Sequence, residues 1–488
     1  MNTAQKIIKN SSFLLIGEIF NAILGMLLVV YLARYLGVVQ YGKYAFAFNF
    51  TSLFLVLSDL GLNVLSVREI ARYPQKSSEY MTTIALTKLF LSFIMVSSIG
   101  ITINLMHYPQ DTTIVVYILG LVNILNSFSM FFRSIFRAFE KMEYDALTRL
   151  IERTMVTGFA LVALFFGFKL IEIVLAIFLA QILAFILTFM ICIKKFARPC
   201  LIFNFSLSRE LIKNALPFGI ASIFAGILFK IDTVMLSLMK GDEVVGWYNA
   251  AYQLVLGLTF IPASFSGSIY PVLSKYFISN KNNIYMVYQK SLKILFIMAI
   301  SIGIGTTLIA DRIIIFLYGK EFSNSAIILQ ILIWAVSFIF LRSIVGITIA
   351  SINKQIIDTY IAGICTLLNI GLNLILIPKY SYIGAGIASV ISQAIVFFLE
   401  FSYLQKYLCK IGILKMISKP FYASMFMGIC IYLLDNVLNF ANIYIFVIIF
   451  SAIFIYIGFL YLFKAFDQEE LKLLKSTFFA FIPMRLNK

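Results

Sequence analysis

Apolar runs of about 20 residues recur along this chain from one end to the other. That is the length of helix that crosses the hydrocarbon core of a bilayer, where every backbone polar group must bond internally. Fourteen such spans are predicted, near 10–35, 41–64, 82–104, 113–138, 149–168, 170–192, 213–240, 244–271, 290–310, 324–351, 355–377, 382–404, 419–435 and 441–464. Of the 488 residues, 61% are hydrophobic and 12% charged, roughly half the charge of a soluble domain; the mean hydropathy is +0.98. The expected class is an all-α polytopic membrane protein, because a transmembrane barrel would alternate over ten-residue segments instead. The longest connections, 65–81, 193–212, 272–289 and 405–418, leave no room for a soluble domain. No cleavable signal peptide is expected, since the N-terminus enters a full-length span without a small-residue cleavage site.

The chain also repeats itself. Lys213–Lys240 lies without a gap on Lys9–Leu36, an offset of 204 positions, and the match continues through Gly37/Gly241, Gly42/Gly246, Tyr44/Tyr248 and Ala47/Ala251. Over residues 9–48, 13 of 40 aligned positions are identical, against roughly three or four by chance in so apolar a chain. Six spans separate the copies, and an even number makes the repeat parallel, with its axis along the membrane normal. Two six-helix lobes follow, 1–200 and 201–410, with two additional spans in 411–466 and a cytoplasmic tail at 467–488. The tail segment DQEELKLLKSTFFAF reads either as an interfacial amphipathic helix or as a solvated tail.

The net charge of +17 is distributed as topology. With the N-terminus inside, 26 lysines and arginines fall on the inner segments and 7 on the outer ones. This asymmetry predicts a multi-pass plasma-membrane protein with both termini cytoplasmic, and it removes the case for a nucleic-acid partner. His107 is the one histidine, and the five cysteines form no CxxC pair. No metal site, cofactor or catalytic residue is expected from such a set.

Six basic residues remain inside spans: Lys88, Arg133, Arg137, Arg153, Lys230 and Arg342. Lys88, Arg137 and Arg153 lie near enough to the cytoplasmic ends to snorkel. Lys230 stands 16 residues past Asn214, about 24 Å along a helix. A charge at that depth costs several kcal/mol unless it faces a wet cavity or a partner, which makes Lys230, Arg342 and Arg133 functional candidates. Asp232, two residues on, points to another side of the helix and is not an obvious partner for Lys230; Glu18 is a second deep acid. Polar stripes accompany them. Asn49, Ser52, Asp59 and Asn63 share one helical face, as do Asn123, Asn126, Arg133 and Arg137; further stripes are Glu18, Asn21 and Gly25, then Asn249, Gln253 and Gly257, then Thr366, Asn369 and Asn373. In lipid these faces must turn inward, either to line a cleft or to join helices by hydrogen bonds. A cleft with buried cations suits phosphate or diphosphate, its amides and hydroxyls suit sugars, and a lipid tail would stay in the bilayer.

The run YLGVVQYGKYAFAFNFTSLFLVLSDLGLNVLSVREIAR (35–72) resembles the N-terminal signature of the Wzx-type polysaccharide flippases, members of the multidrug/oligosaccharidyl-lipid/polysaccharide (MOP) exporter superfamily. The matching elements are Leu36, Gly37, Tyr41, Gly42 and Tyr44, then Asp59–Leu62, then Val67–Glu69; NALPFG (214–219), VGWYNAAYQ (245–253) and IPASFSGSIYPVLSK (261–275) look like the family's seventh and eighth helices. The resemblance covers almost the whole chain. It implies two lobes around a cationic cavity and the flipping of a polyprenyl-diphosphate-linked oligosaccharide by alternating access. A Na+ or H+ gradient is the implied drive, and polymerase or glycosyltransferase partners are implied beside membrane lipids. Carried over, Arg133, Arg137, Lys230 and Arg342 would bind the diphosphate. Either Asp232 or Glu18 would couple the ion, and Asp59, Arg68 and Glu69 would gate or join the lobes. Asn49, Asn126, Asn249, Gln253, Asn369 and Asn373 would line the cavity. A MATE-like cation extruder of the same superfamily would need an acidic pocket, whereas the deep charges here are more basic than acidic. A membrane glycosyltransferase needs a large outer loop with catalytic acids, and the longest, 311–323, is only 13 residues with Asp311 and Glu321. A scaffold would not need cations at mid-membrane. A carrier, not an enzyme, is the expected reading.

Overall fold

The computed structural model describes residues 3–200, 204–279, 281–408, 412–438 and 445–466. The tail at 467–488 and the side chain of Glu18 lie outside the described residues. The α-helices are α1 (Thr3–Phe54), α2 (Leu62–Arg72), α3 (Ser77–Leu105), α4 (Gln110–Ala138), α5 (Met142–Phe165), α6 (Leu170–Lys195), α7 (Phe205–Lys240), α8 (Asp242–Leu258), α9 (Phe260–Ser279), α10 (Lys281–Tyr318), α11 (Ser325–Ser351), α12 (Gln355–Tyr407), α13 (Ile413–Leu438) and α14 (Ile445–Leu462). No strand occurs among the described residues.

Eleven helical stretches among the described residues are long and apolar enough to cross a membrane. Two of them consist of paired arms. Helix α1 breaks at Gly37 (φ 71°, ψ 175°), and α12 breaks at Ser381 (φ 53°, ψ −133°). Helix α5 is not one of the eleven, because its first half carries Glu143, Asp145, Arg149, Glu152 and Arg153. It begins at Met142 rather than near 149. The long connections expected at 65–81 and 272–289 are largely helical, held by α2, the end of α9 and the start of α10. Hydropathy marks where the membrane ends; Lys, Arg, Glu and Gln continue a helix into water nearly as well as Leu does.

Helices α1 and α3–α6 pack together as one lobe, and α7, α8 and α10–α12 as the second. Helix α13 packs on α10, and α14 on α13 and α10. The lobes meet where α1 crosses α8, and where α2 and α3 meet α7. In lipid no hydrophobic force drives helices together, so close approach of small residues must do so, and both seams are built on glycine. At the face expected to be outer, Gly37 and Gly241 take the same backbone turn, φ 71° with ψ 175° and φ 87° with ψ −179°. Just beyond them, the space above Gly42 is filled by the carbonyl of Asp242, and the space above Gly246 by the carbonyl of Val38. The offset of 204 maps one contact onto the other, so the repeat is a symmetry of the packing. At the opposite face, Gly61 (φ 86°) lies so close to α7 that a Cβ would stand 2.6 Å from the carbonyl oxygen of Ala215. A Cβ on Gly219 would stand 2.8 Å from that of Leu60. A hydroxyl pair, Thr87 and Ser208 at 2.7 Å, joins α3 to α7. The lobes thus touch at both faces.

Candidate functional site

Helix α7 carries the deepest charges, and its carboxylate is the centre of a polar cluster. Asp232 is buried. Its Oδ1 accepts from Asn373 Nδ2 at 2.6 Å and its Oδ2 from the Tyr248 hydroxyl at 3.0 Å and from Ser389 Oγ. Asn373 also donates to Asn369 Oδ1 at 3.1 Å. This leaves Asn373 Oδ1 and Asn369 Nδ2 buried without partners. The groups converge from α7, α8 and both arms of α12. Every donor to Asp232 is neutral. A buried carboxylate with neutral donors and a spare amide oxygen beside it can take a small cation or a proton. Among the described residues no group of three or more His, Cys, Asp or Glu side chains is placed to hold a metal ion.

The arginines lie in two further clusters, one in each lobe. In the first, Asp145 is fully buried on α5 and takes Arg137 at 3.5 Å, Arg149 at 3.4 Å and Arg133 at 3.9 Å. Arg133 also donates to Glu152 at 2.5 Å, whose other oxygen accepts from Gln181 on α6 at 3.1 Å. In the second, Arg342 on α11 donates to Asp358 at 3.2 Å on the first arm of α12 and to Glu400 at 3.0 Å on the second. Arg133, Arg137 and Arg342 therefore tie three spans of their own lobe together through acids. Glu400 retains one buried oxygen without a partner.

Lys230 differs. It is half-buried on α7, and no hydrogen bond or ion pair links it to any described residue; Asp232, as its spacing implied, is turned to the cluster above. Lys88 corrects the expectation that it snorkels. It is wholly buried and donates to Asp59 at 2.7 Å and Asn63 at 3.4 Å. Asp59 in turn accepts from the backbone of Asn63 at 3.2 Å and shapes the start of α2. Lys88 thus holds the turn that presses Leu60 and Gly61 onto α7. Arg153 is half-buried, and its guanidinium lies against Gly25 of α1. On α2, Glu69 takes Arg68 at 2.8 Å and Arg72 at 3.7 Å.

Of the stripe residues, Asn49 on α1 donates to Asn249 on α8 at 3.1 Å, directly between the lobes, and Asn249 also pairs with Thr233. Asn123 donates to Thr51 at 2.9 Å. Asn126 and Gln253 are half-buried. Sequence reasoning missed Asp145, Glu152, Glu400, Tyr248 and Ser389. The signals present were the spacing of Asp145 and Glu152, two turns apart on one face, and the repeat identity of Tyr44 with Tyr248.

The fold and these clusters define a two-lobed polytopic helical membrane protein with ion-tied lobes and a separate buried carboxylate site. The chain belongs to the family described as polysaccharide biosynthesis protein, whose model matches residues 7–277. The MatE family model matches residues 217–375. The capsular polysaccharide biosynthesis protein CapF of Staphylococcus aureus is 23% identical over 396 residues, covering 79% of this chain and 96% of that one. The "Probable low-salt glycan biosynthesis flippase Agl15" of Haloferax volcanii is 23% identical over 405 residues, 82% and 84% of the two chains. Among solved structures, the lipid II flippase MurJ in an inward closed conformation superimposes with a TM-score of 0.77 at 19% identity, covering 92% of this chain and 98% of its own. The resemblance seen in residues 35–72 is thereby supported along both halves.

Proposed function

We propose that this protein flips a polyprenyl-diphosphate-linked oligosaccharide across the cytoplasmic membrane by alternating access, both termini being cytoplasmic, for export of a cell-surface polysaccharide or glycan. The observation that carries the reading is Lys230, a deep cation with no partner among the described residues, on the helix that forms the inner seam. An unpaired cation at that depth asks for an anion, and a diphosphate head group supplies one. Half-buried Asn126 and Gln253 offer amides to sugars. The named activities of the capsular and glycan relatives support the same substrate class.

The two glycine seams then act as alternating closures, both shut in this state. Asp232 is the coupling site: taking up Na+ or H+ cancels its charge where α7 meets α8 and α12, and release restores it. The acid-paired arginines keep each lobe rigid while the lobes rock. A polymerase or glycosyltransferase that supplies or receives the glycan is the expected neighbour. A cation extruder is the second reading, favoured by the MatE match over 217–375 and opposed by the charge of Lys230.

The test is transbilayer movement of a fluorescent polyprenyl-diphosphate oligosaccharide in proteoliposomes. Lys230→Ala loses movement at least tenfold while Lys230→Arg retains most of it; full activity of Lys230→Ala, or transport of cationic dyes in its place, refutes the reading. With the same assay under an imposed Na+ or pH gradient, wild type responds to one of the two. Asp232→Asn does not respond to either; a response that survives in Asp232→Asn excludes Asp232 as the coupling site.

A further inference from the structure

Every other arginine named above inside a span meets a carboxylate; Arg153 on α5 does not. Its Nε is buried without a partner. The neighbouring Glu152 spends its hydrogen bonds on Arg133 and Gln181 and reaches Arg153 only through its field. Its guanidinium instead lies on α1, where a Cβ on Gly25 would collide with Nη2 and stand 3.1 Å from Cζ. Helix α1 leaves room for this charge by having no side chain there.

The internal repeat fixes the depth of that charge. Gly25 precedes the Gly37 turn by 12 residues, as Phe229 precedes the Gly241 turn. The next position in each copy is Met26 in α1 and Lys230 in α7. A parallel repeat sets equivalent positions at equal depth. Helix α1 thus has an apolar residue where α7 has its lysine, and the cation at that level of the first lobe comes from α5, laid across α1. Helices α1 and α7 are in contact. Each lobe therefore holds, at one level in the membrane, a cation that forms no ion pair with a described residue.

We propose that Arg153 is the first lobe's ligand for the head-group diphosphate, one phosphoryl group being held by Arg153 and the other by Lys230. The assignment rests on the flippase reading and adds a residue from the opposite lobe, so that closing on the ligand requires both. A half-buried guanidinium whose Nε has no partner is short of one hydrogen bond, which an arriving anion supplies. A fork of donors also suits a phosphoryl group better than a point charge does.

The experiment measures binding of farnesyl diphosphate, farnesyl monophosphate and farnesol to the detergent-solubilised full chain. Wild type prefers the diphosphate. Arg153→Gln weakens it about tenfold, as expected for loss of a charged hydrogen bond, with a smaller loss for the monophosphate and none for farnesol. Arg153→Lys retains most of the affinity. Gly25→Ala keeps the charge but displaces the guanidinium, and it weakens the diphosphate selectively as well; if Arg153→Gln does not fold, Gly25→Ala decides. Diphosphate affinity unchanged in the folded variants overturns the assignment alone. Wild type that does not distinguish the diphosphate from farnesol overturns the assignment and the flippase reading together.

Discussion

Lys88 shows how much one side chain can hold in place at the inner seam. It is fully buried, its ammonium is satisfied by Asp59 and Asn63, and Asp59 shapes the turn that carries Gly61. Removing Lys88 leaves the half-buried Asp59 without its counter-charge. Lys88→Met is therefore expected to lower the thermal unfolding midpoint in detergent, and Lys88→Met combined with Asp59→Asn to recover much of the loss. Equal midpoints for wild type and Lys88→Met would show that the pair is not structural. The sequence marked Asp59 through its motif and Asp232 through its depth. It could not show their partners, because Lys88, Tyr248 and Ser389 reach them from other helices. Lys88 was misjudged for a related reason: distance to a helix end measures access to water only if no other element covers that end, and here α2 does.

At the scale of the element, the tightest constraint lies where Gly219 meets Leu60. The atoms a new side chain would strike there are backbone, at 2.8–3.1 Å, with no flexible tip to give way. Overpacking of this kind typically costs 1–3 kcal/mol. That is enough to move a two-state equilibrium by about tenfold. Gly219→Val is expected to force α7 away from the start of α2 and populate the state open at that face. In a background without the native cysteines, Thr87→Cys with Ser208→Cys reports the seam, since their hydroxyls now lie 2.7 Å apart. The disulfide yield should fall at least twofold when Gly219→Val is added; an unchanged yield would mean that this seam does not open. Existence of most elements was legible from apolar runs. Their ends were less so: α2 and the flanks of α9 and α10 extend past the apolar stretch, and α5 carries five charges in its first half that cross-lobe hydropathy cannot assign to a neighbour.

For the whole molecule, the two-lobed plan was readable because the duplication left identities at the positions that matter mechanically. Gly37, Gly42 and Tyr44 recur as Gly241, Gly246 and Tyr248, and the first two of each set build the same turn and the same contact. What the repeat could not reveal is how the lobes diverged. Both lobes carry an arginine–acid cluster, but the second places Asp232 and its donors where the first has Leu28. The outer seam has a consequence of its own. Gly42 receives the backbone of Asp242 while Gly246 receives that of Val38, so residue i of one half meets j of the other and j meets i. This is the rule of an isologous two-fold dimer, preserved inside a single polypeptide. Either half alone would carry a complete self-complementary patch, and the covalent link between them supplies proximity rather than the instructions for pairing.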